Sequence, residues 1–228
     1  MTPLLIFDLD GTLIDSAGDL HAALDRLLDE LGRPPLSLAE VTRMIGDGVP
    51  KLVERALAAT SLEEGHGGTV DLAPATARFL ELYEADPVRF THPYADVPET
   101  LQRLAAAGYR LAICTNKPER ATLHILAELG LAPLFEAVVG GDSLPVRKPD
   151  PAMLTTLLDR FGATPGNAIL IGDSEVDMAT AVAAGMPAVL MTYGYHRGSL
   201  DSIPCAATLD HFAELPETLL RLDLPPAR

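Results

Sequence analysis

The sequence predicts an α/β protein: a Rossmann-like, three-layer core on a parallel sheet, with an inserted α-helical domain. Three observations predict it. Short apolar runs alternate with amphipathic helical stretches from about residue 92 to residue 209, the pattern of βαβ units on a parallel sheet. Residues 15–91 contain helical patterns and no convincing strand. The first apolar run, Leu4 to Phe7, precedes that helical stretch and therefore pairs with strands that follow it. The expected division is 1–14 and 92–228 for the core and 15–91 for the insertion, with hinges at the two crossings.

In chain order, Leu4 to Phe7 reads as a buried strand. Ala17 to Leu31 places Leu20, Leu24, Leu27, Leu28 and Leu31 on one stripe, with Gly32 as a stop. Leu38 to Ile45 and Pro50 to Ala59 read as helices, the second opened by Gly46-Asp47-Gly48. Ser61 to Asp71 reads as a loop, and Pro74 to Ala85 as a helix. Pro98 to Ala107 is a helix ended by Gly108, and Tyr109 to Cys114 a strand. A helix follows Pro118 and stops at Gly130, and Ala137 to Val139 is a short strand. Asp150-Pro151 opens a helix carrying Met153, Leu154, Leu157, Leu158 and Phe161. Ala168 to Ile171 is a strand, the next helix stops at Gly185, and Ala188 to Met191 and Ala207 to Leu209 complete the sheet.

The chain has 228 residues, is 48% hydrophobic and carries a net charge of −15. That charge repels nucleic-acid phosphates and anionic membranes, so an anionic substrate must be attracted locally, by a metal and a few placed cations. The two cysteines, Cys114 and Cys205, have no metal-type spacing. They suggest no disulfide framework, so a reducing cytoplasm is the expected compartment. The N-terminus lacks a basic region and reads as no signal peptide. The longest apolar run, Ala181 to Met191, has about eleven residues, against about twenty for a membrane span.

Ligands of open parallel sheets bind beyond the carboxyl ends of the strands. The first strand delivers Asp8 and Asp10, which at strand spacing face one side. Two such carboxylates repel by roughly 4 kcal/mol at an effective dielectric of ~20. A cation between them, or a proton on one, relieves that repulsion. The strand ending at Cys114 delivers Thr115 and Asn116, and the strand ending at Ile171 delivers Gly172, Asp173 and, a turn later, Asp177. The loop before the Asp150 helix delivers Lys148. Individually, Asp177 could cap its helix, Lys148 could be a solvated loop residue, and Asp173 could be a turn residue. Together these groups suit a metal plus a small, multiply charged anion such as phosphate. Magnesium prefers oxygen ligands and often takes a phosphate oxygen.

Asp8-Leu9-Asp10-Gly11-Thr12, Thr115-Asn116, Lys148-Pro149 and Gly172-Asp173 with Asp177 make the chain resemble the haloacid dehalogenase (HAD) superfamily of phosphohydrolases along essentially its whole length. The helical insertion is similar to that family's small α-helical cap domain, which sets substrate specificity. The resemblance implies Asp8 as nucleophile, forming an aspartyl-phosphate, and Asp10 as general acid–base. It implies Thr115 and Asn116 for phosphoryl binding and Lys148 for charge neutralisation. It implies a magnesium ion held by Asp8, the Asp10 carbonyl and Asp173, with Asp177 acting directly or through water. Asp10 also favours phosphoryl transfer over carbon–halogen cleavage, which needs no proton donor there.

Asp15-Ser16, Ile45-Gly46-Asp47-Gly48 and Val53-Glu54-Arg55-Ala56-Leu57 resemble the phosphoglycolate phosphatases within that superfamily. The implied substrate is a small anionic phosphorylated metabolite. Gly46, Gly48, Lys51 and Arg55 are the candidates to read its leaving group, although Lys51 and Arg55 also suit a solvated helix face. Other enzyme readings are a phosphatase for sugar phosphates or pyrophosphate, and a β-phosphoglucomutase-like phosphomutase. A phosphonate hydrolase would require Lys51 as a Schiff-base lysine. The non-enzyme reading is a receiver-like phosphoacceptor switch. Monomer and homodimer are both compatible with the sequence.

Overall fold

The structure is a computed structural model that describes residues 2–61, 70–198, 200 and 203–226. Most of the expected Ser61 to Asp71 loop lies outside the described residues. The chain divides into two compact units, 1–15 with 92–228, and 16–91.

The first unit is built on a six-stranded parallel sheet of order β5-β4-β1-β6-β7-β8. The strands are β1 (Leu4–Phe7), β4 (Arg110–Cys114), β5 (Ala137–Val139), β6 (Ala168–Gly172), β7 (Ala188–Met191) and β8 (Ala207–Leu209). β1 lies between β4 and β6, with Ile6 in register with Ala112 and Leu170. All four β1 side chains are fully buried, which explains why this strand reads as an unbroken apolar run instead of alternating. α5 (Val97–Ala106), α6 (Glu119–Glu128), α7 (Ala152–Phe161), α8 (Glu175–Ala183) and α9 (Leu215–Arg221) accompany the sheet. Leu4, Ile6, Met153, Leu154, Leu157, Leu170, Met178 and Leu190 share one core cluster. The α/β architecture is as the sequence predicts.

Three elements of this unit carry too little local signal to be read from the sequence. β2 (Ile14–Asp15) and β3 (His92–Pro93) form a two-residue antiparallel ribbon where the chain leaves and re-enters the unit. A two-residue strand has no measurable periodicity. Helix α9 also went unread; its core contacts come from Leu215, Thr218 and Leu219.

The second unit holds α1 (Ala17–Glu30), α2 (Leu38–Thr42), α3 (Val49–Ala59) and α4 (Leu72–Glu84). α2 is shorter than expected, ending before Ile45. Ser37 and Glu40 form its capping box. The unit's two chain ends are tied by buried Asp19, whose carboxylate accepts from the Phe90 and Thr91 amides and from the Thr91 hydroxyl at 2.6 Å. Arg78 on α4 grips Glu30 on α1 through Nε and Nη2 at 2.8 and 2.7 Å. Among the described residues, no helix is long and apolar enough to cross a membrane.

Candidate active site

The carboxyl edge of the sheet in the first unit gathers the site. Asp8 follows β1 directly, and its amide donates to the Ile171 carbonyl at 2.9 Å. Its carboxyl group is buried beside Lys148, whose Nζ is 2.9 Å from Asp8 Oδ1. The two form a buried ion pair. Burial pushes the Asp8 carboxyl up to about 6; the Lys148 charge opposes this and Asp177 adds to it.

Lys148 is no solvated loop lysine, because its side chain is 1% exposed. It donates to Asp177 Oδ1 at 2.6 Å. Burial alone would lower its pKa, but the Asp177 and Asp8 charges outweigh burial and hold the ammonium charged. Its backbone is fixed by Asn116, whose Oδ1 accepts from Lys148 N at 3.0 Å and whose Nδ2 donates to Lys148 O at 3.2 Å. Asn116 thus braces the loop that presents the lysine.

Asp177 takes the capping role that the sequence offered and adds one that it did not. It completes the α8 capping box with Ser174, and it is the counter-ion of Lys148. Its Oδ2 accepts from the Ser174 hydroxyl at 2.5 Å. Asp173 is 1% exposed. The Thr12 hydroxyl donates to its Oδ1, and the Tyr195 amide to its Oδ2, both at 2.7 Å. Burial first, then the Asp177 and Asp8 charges, raise this carboxyl well above the usual range. Gly11 adopts φ +85 where the chain turns past Asp173, and a Cβ at Gly11 or Gly194 would overlap the Asp173 carboxylate.

Asp8, Asp173 and Asp177 bring carboxylate oxygens within 4.8 Å of one another. Their buried, oxygen-only donor set fits a hard divalent cation. Thr115 stands at the end of β4, its amide donating to Val139 O at 3.0 Å and its hydroxyl accepting from the Lys117 amide at 3.2 Å. Cys114 is buried, and burial pushes its thiol up to about 12, as expected for an inert core residue.

The sequence reading missed two contributors. It counted one lysine at the edge, whereas the structure places two. Lys117 is 4% exposed, and its Nζ donates to Asp10 Oδ1 and Oδ2 at 2.9 and 3.0 Å. A lysine directly after Thr115-Asn116 at a strand end was the available signal. The loop after β7 was also overlooked, although it too leaves a strand's carboxyl end. There Tyr193 donates through its hydroxyl to Thr12 O, and Tyr195 to Asp15 Oδ1, each at 2.7 Å.

The remaining candidates lie in the second unit. Gly46 and Gly48 have positive φ, and Gly48 caps α3. Lys51 is half-exposed and pairs with Glu54 at 2.5 Å. Arg55 pairs with Asp47 and donates to Met44 O at 2.8 Å, bracing the turn before α3.

A parallel sheet whose carboxyl edge joins four aspartates to two buried lysines defines an α/β protein with an acidic cluster that could hold a metal ion. The chain belongs to the haloacid dehalogenase-like hydrolases, whose family model matches residues 5–191. It is 45% identical over 221 residues to a phosphoglycolate phosphatase of Cereibacter sphaeroides, covering 96% of this chain and 99% of that protein. It is also 45% identical over 225 residues to a phosphoglycolate phosphatase of Rhodospirillum rubrum, covering 96% and 91%. Among solved structures, a predicted phosphoglycolate phosphatase from Haemophilus somnus superposes with a TM-score of 0.89 at 32% identity, covering 95% of this chain and 97% of that one.

Proposed function

We propose that this enzyme is a magnesium-dependent phosphatase that hydrolyses 2-phosphoglycolate to glycolate and phosphate. The observation that carries the chemistry is the buried Asp8 carboxylate, held 2.9 Å from the Lys148 ammonium. Its phosphoglycolate phosphatase relatives support the substrate.

Asp8 attacks phosphorus, forming the aspartyl-phosphate as the bond to the glycolate oxygen breaks. Asp10 donates its proton to that leaving oxygen, then takes a proton from the water that attacks the phosphoryl group and releases Asp8. Lys148 opposes the charge on Asp8 and on the transferring group, and Asp177 keeps Lys148 aimed there. The Thr115 hydroxyl and neighbouring amides hold phosphoryl oxygens. Asp8 and Asp173, with the Asp10 carbonyl, would hold magnesium, which supplies charge neutralisation as a Lewis acid. Asp177 is engaged by Lys148 and Ser174, which favours its acting on the metal through water. The 16–91 unit is proposed as the cap domain that reads the glycolate carboxylate, with Gly46, Gly48, Lys51 and Arg55 as candidates.

The test is phosphate release with magnesium from 2-phosphoglycolate, ribose 5-phosphate, β-glucose 1-phosphate and pyrophosphate. 2-Phosphoglycolate is expected to lead in kcat/KM by at least about tenfold, or roughly 1.4 kcal/mol of discrimination. A flat profile, or another leading ester, would overturn the substrate and leave the phosphatase chemistry standing. Conversion of a sugar phosphate without release of free phosphate would identify a mutase instead.

The raised carboxyls also predict how metal binding depends on pH. Asp8 moves from 3.8 to about 6 on folding, so the metal-free folded protein binds more protons than the unfolded chain between those values. The stabilising contribution of this group is present below about 4 and is lost as pH rises through about 6. Magnesium competes with those protons. At a concentration of about 100 Kd it is expected to add about 2.7 kcal/mol at neutral pH, or roughly 5–10 °C in Tm. The increment should be smaller at pH 5, and melting curves with and without magnesium at both values check this. An equal increment at both would count against carboxylate ligation.

A further inference from the structure

We infer that Lys117 is a positioning residue that locks the Asp10 carboxylate in one orientation for both halves of the reaction. The inference rests on the phosphatase reading, and in particular on Asp10 acting twice. Asp10 must meet the leaving oxygen first and the attacking water second, at the same place. An aspartate's terminal torsion is broad and nearly two-fold, so its oxygens can exchange positions unless something holds both. The Lys117 ammonium bonds to both, at 2.9 and 3.0 Å.

The base of that lysine is clamped, which matters because a lysine stem is otherwise flexible. The Lys117 amide donates to Thr115 Oγ1 at 3.2 Å, and its carbonyl accepts from Gly141 N at 2.8 Å. Gly141 packs so closely that a Cβ there would overlap the Asn116 carbonyl. Pro118 follows as the N-cap of α6. The Lys117 side chain is 2% exposed, whereas the Asp10 side chain keeps 14% of its surface in contact with solvent. Asp10 could therefore be hydrated without a partner, and burying a cation beside it carries a desolvation cost that simple packing would not require. Lys148 cannot substitute, because it already serves Asp8 and Asp177.

The test uses Lys117→Met and Lys117→Arg in the full chain, with steady-state turnover of 2-phosphoglycolate and of 4-nitrophenyl phosphate. Lys117→Met is expected to lower kcat on the alkyl ester by about ten- to a hundredfold, the scale of a misplaced catalytic group, with KM nearly unchanged. The loss should be smaller on the aryl ester, whose leaving group departs without a proton. Lys117→Arg should recover much of kcat, since it retains the charge and two donors. Adding Lys117→Met to Asp10→Asn should cost little more than Asp10→Asn alone. A higher KM at unchanged kcat would make Lys117 a substrate contact and overturn the inference, as would full activity in Lys117→Met or additive losses in the double variant. If Lys117→Met does not fold, as judged by melting, Lys117→Gln carries the same comparison. Absence of turnover by the unsubstituted enzyme would count against the phosphatase reading itself, whereas an active parent with an unaffected variant would count against Lys117 alone.

Discussion

Replacing Asp8 by asparagine is expected to abolish turnover and leave the protein folded. The substitution is nearly isosteric and keeps the hydrogen bond from the residue 8 amide to the Ile171 carbonyl, but it removes the carboxylate proposed to attack phosphorus. Loss of a covalent nucleophile should lower kcat by at least about 10⁴-fold. Stability should move the other way. Burial holds the Asp8 carboxyl up at about 6 in the metal-free protein, so its ionised form, which predominates at neutral pH, is penalised relative to the unfolded chain. A neutral amide relieves that penalty, and the metal-free Asp8→Asn variant should melt at or above the parent's temperature. Phosphate release and thermal melting on the same preparation check both halves. Residual turnover within about a hundredfold of the parent, against the larger loss a missing nucleophile requires, would exclude Asp8 as nucleophile.

Replacing Lys148 by methionine is expected to damage both stability and activity. Methionine matches the stem but leaves Asp8, Asp173 and Asp177, all buried, without the ammonium that sits 2.9 Å from Asp8 and 2.6 Å from Asp177. Breaking a buried ion pair from one side costs about 3–5 kcal/mol, because the partner charge is left uncompensated. For a chain of this size that is roughly 10 °C in Tm. Turnover should fall as well, since the proposed phosphoryl site loses the cation that faces Asp8. The origin of the stability loss can be isolated. Adding Asp177→Asn to Lys148→Met should restore part of the Tm by removing one stranded carboxylate, and should restore none of the activity. Equal melting temperatures for the parent and Lys148→Met would show that the buried acids are already neutral and overturn the ion-pair account.

The acidity of the whole chain bears on both results. A net charge of −15 repels a phosphorylated acid at long range. The sequence therefore requires that attraction be local. The cation placed for that role in the proposed mechanism is Lys148, at least 95% buried beside Asp8, where a charge is screened least.

The fold was legible wherever its signal was local. β1 is apolar throughout because both of its faces are covered. Helices α1 and α7 announce themselves by apolar spacing, and Gly162 ends α7 in the left-handed conformation that glycine favours. The rule that ligands gather at the carboxyl ends of parallel strands brought Asp8, Thr115, Lys148 and Asp173 together before any coordinates. The two-residue ribbon and α9 escaped because neither is long enough to impose a pattern of its own.

By itself, the sequence determined the α/β class, the strand ends that bear chemistry and the residue types they carry. These depend on neighbours within a few positions and on elementary rules of strand and helix spacing. Only the tertiary structure decided which group holds which. Thr12 reaches Asp173 across 161 positions, Lys117 reaches Asp10 across 107, and Tyr195 reaches Asp15 across 180. The same is true of Asp177, which caps its own helix through a contact three residues away and restrains Lys148 through one 29 residues away. A cap is written into a helix by adjacent residues, but a counter-ion is assigned by which loops the sheet order brings to one edge.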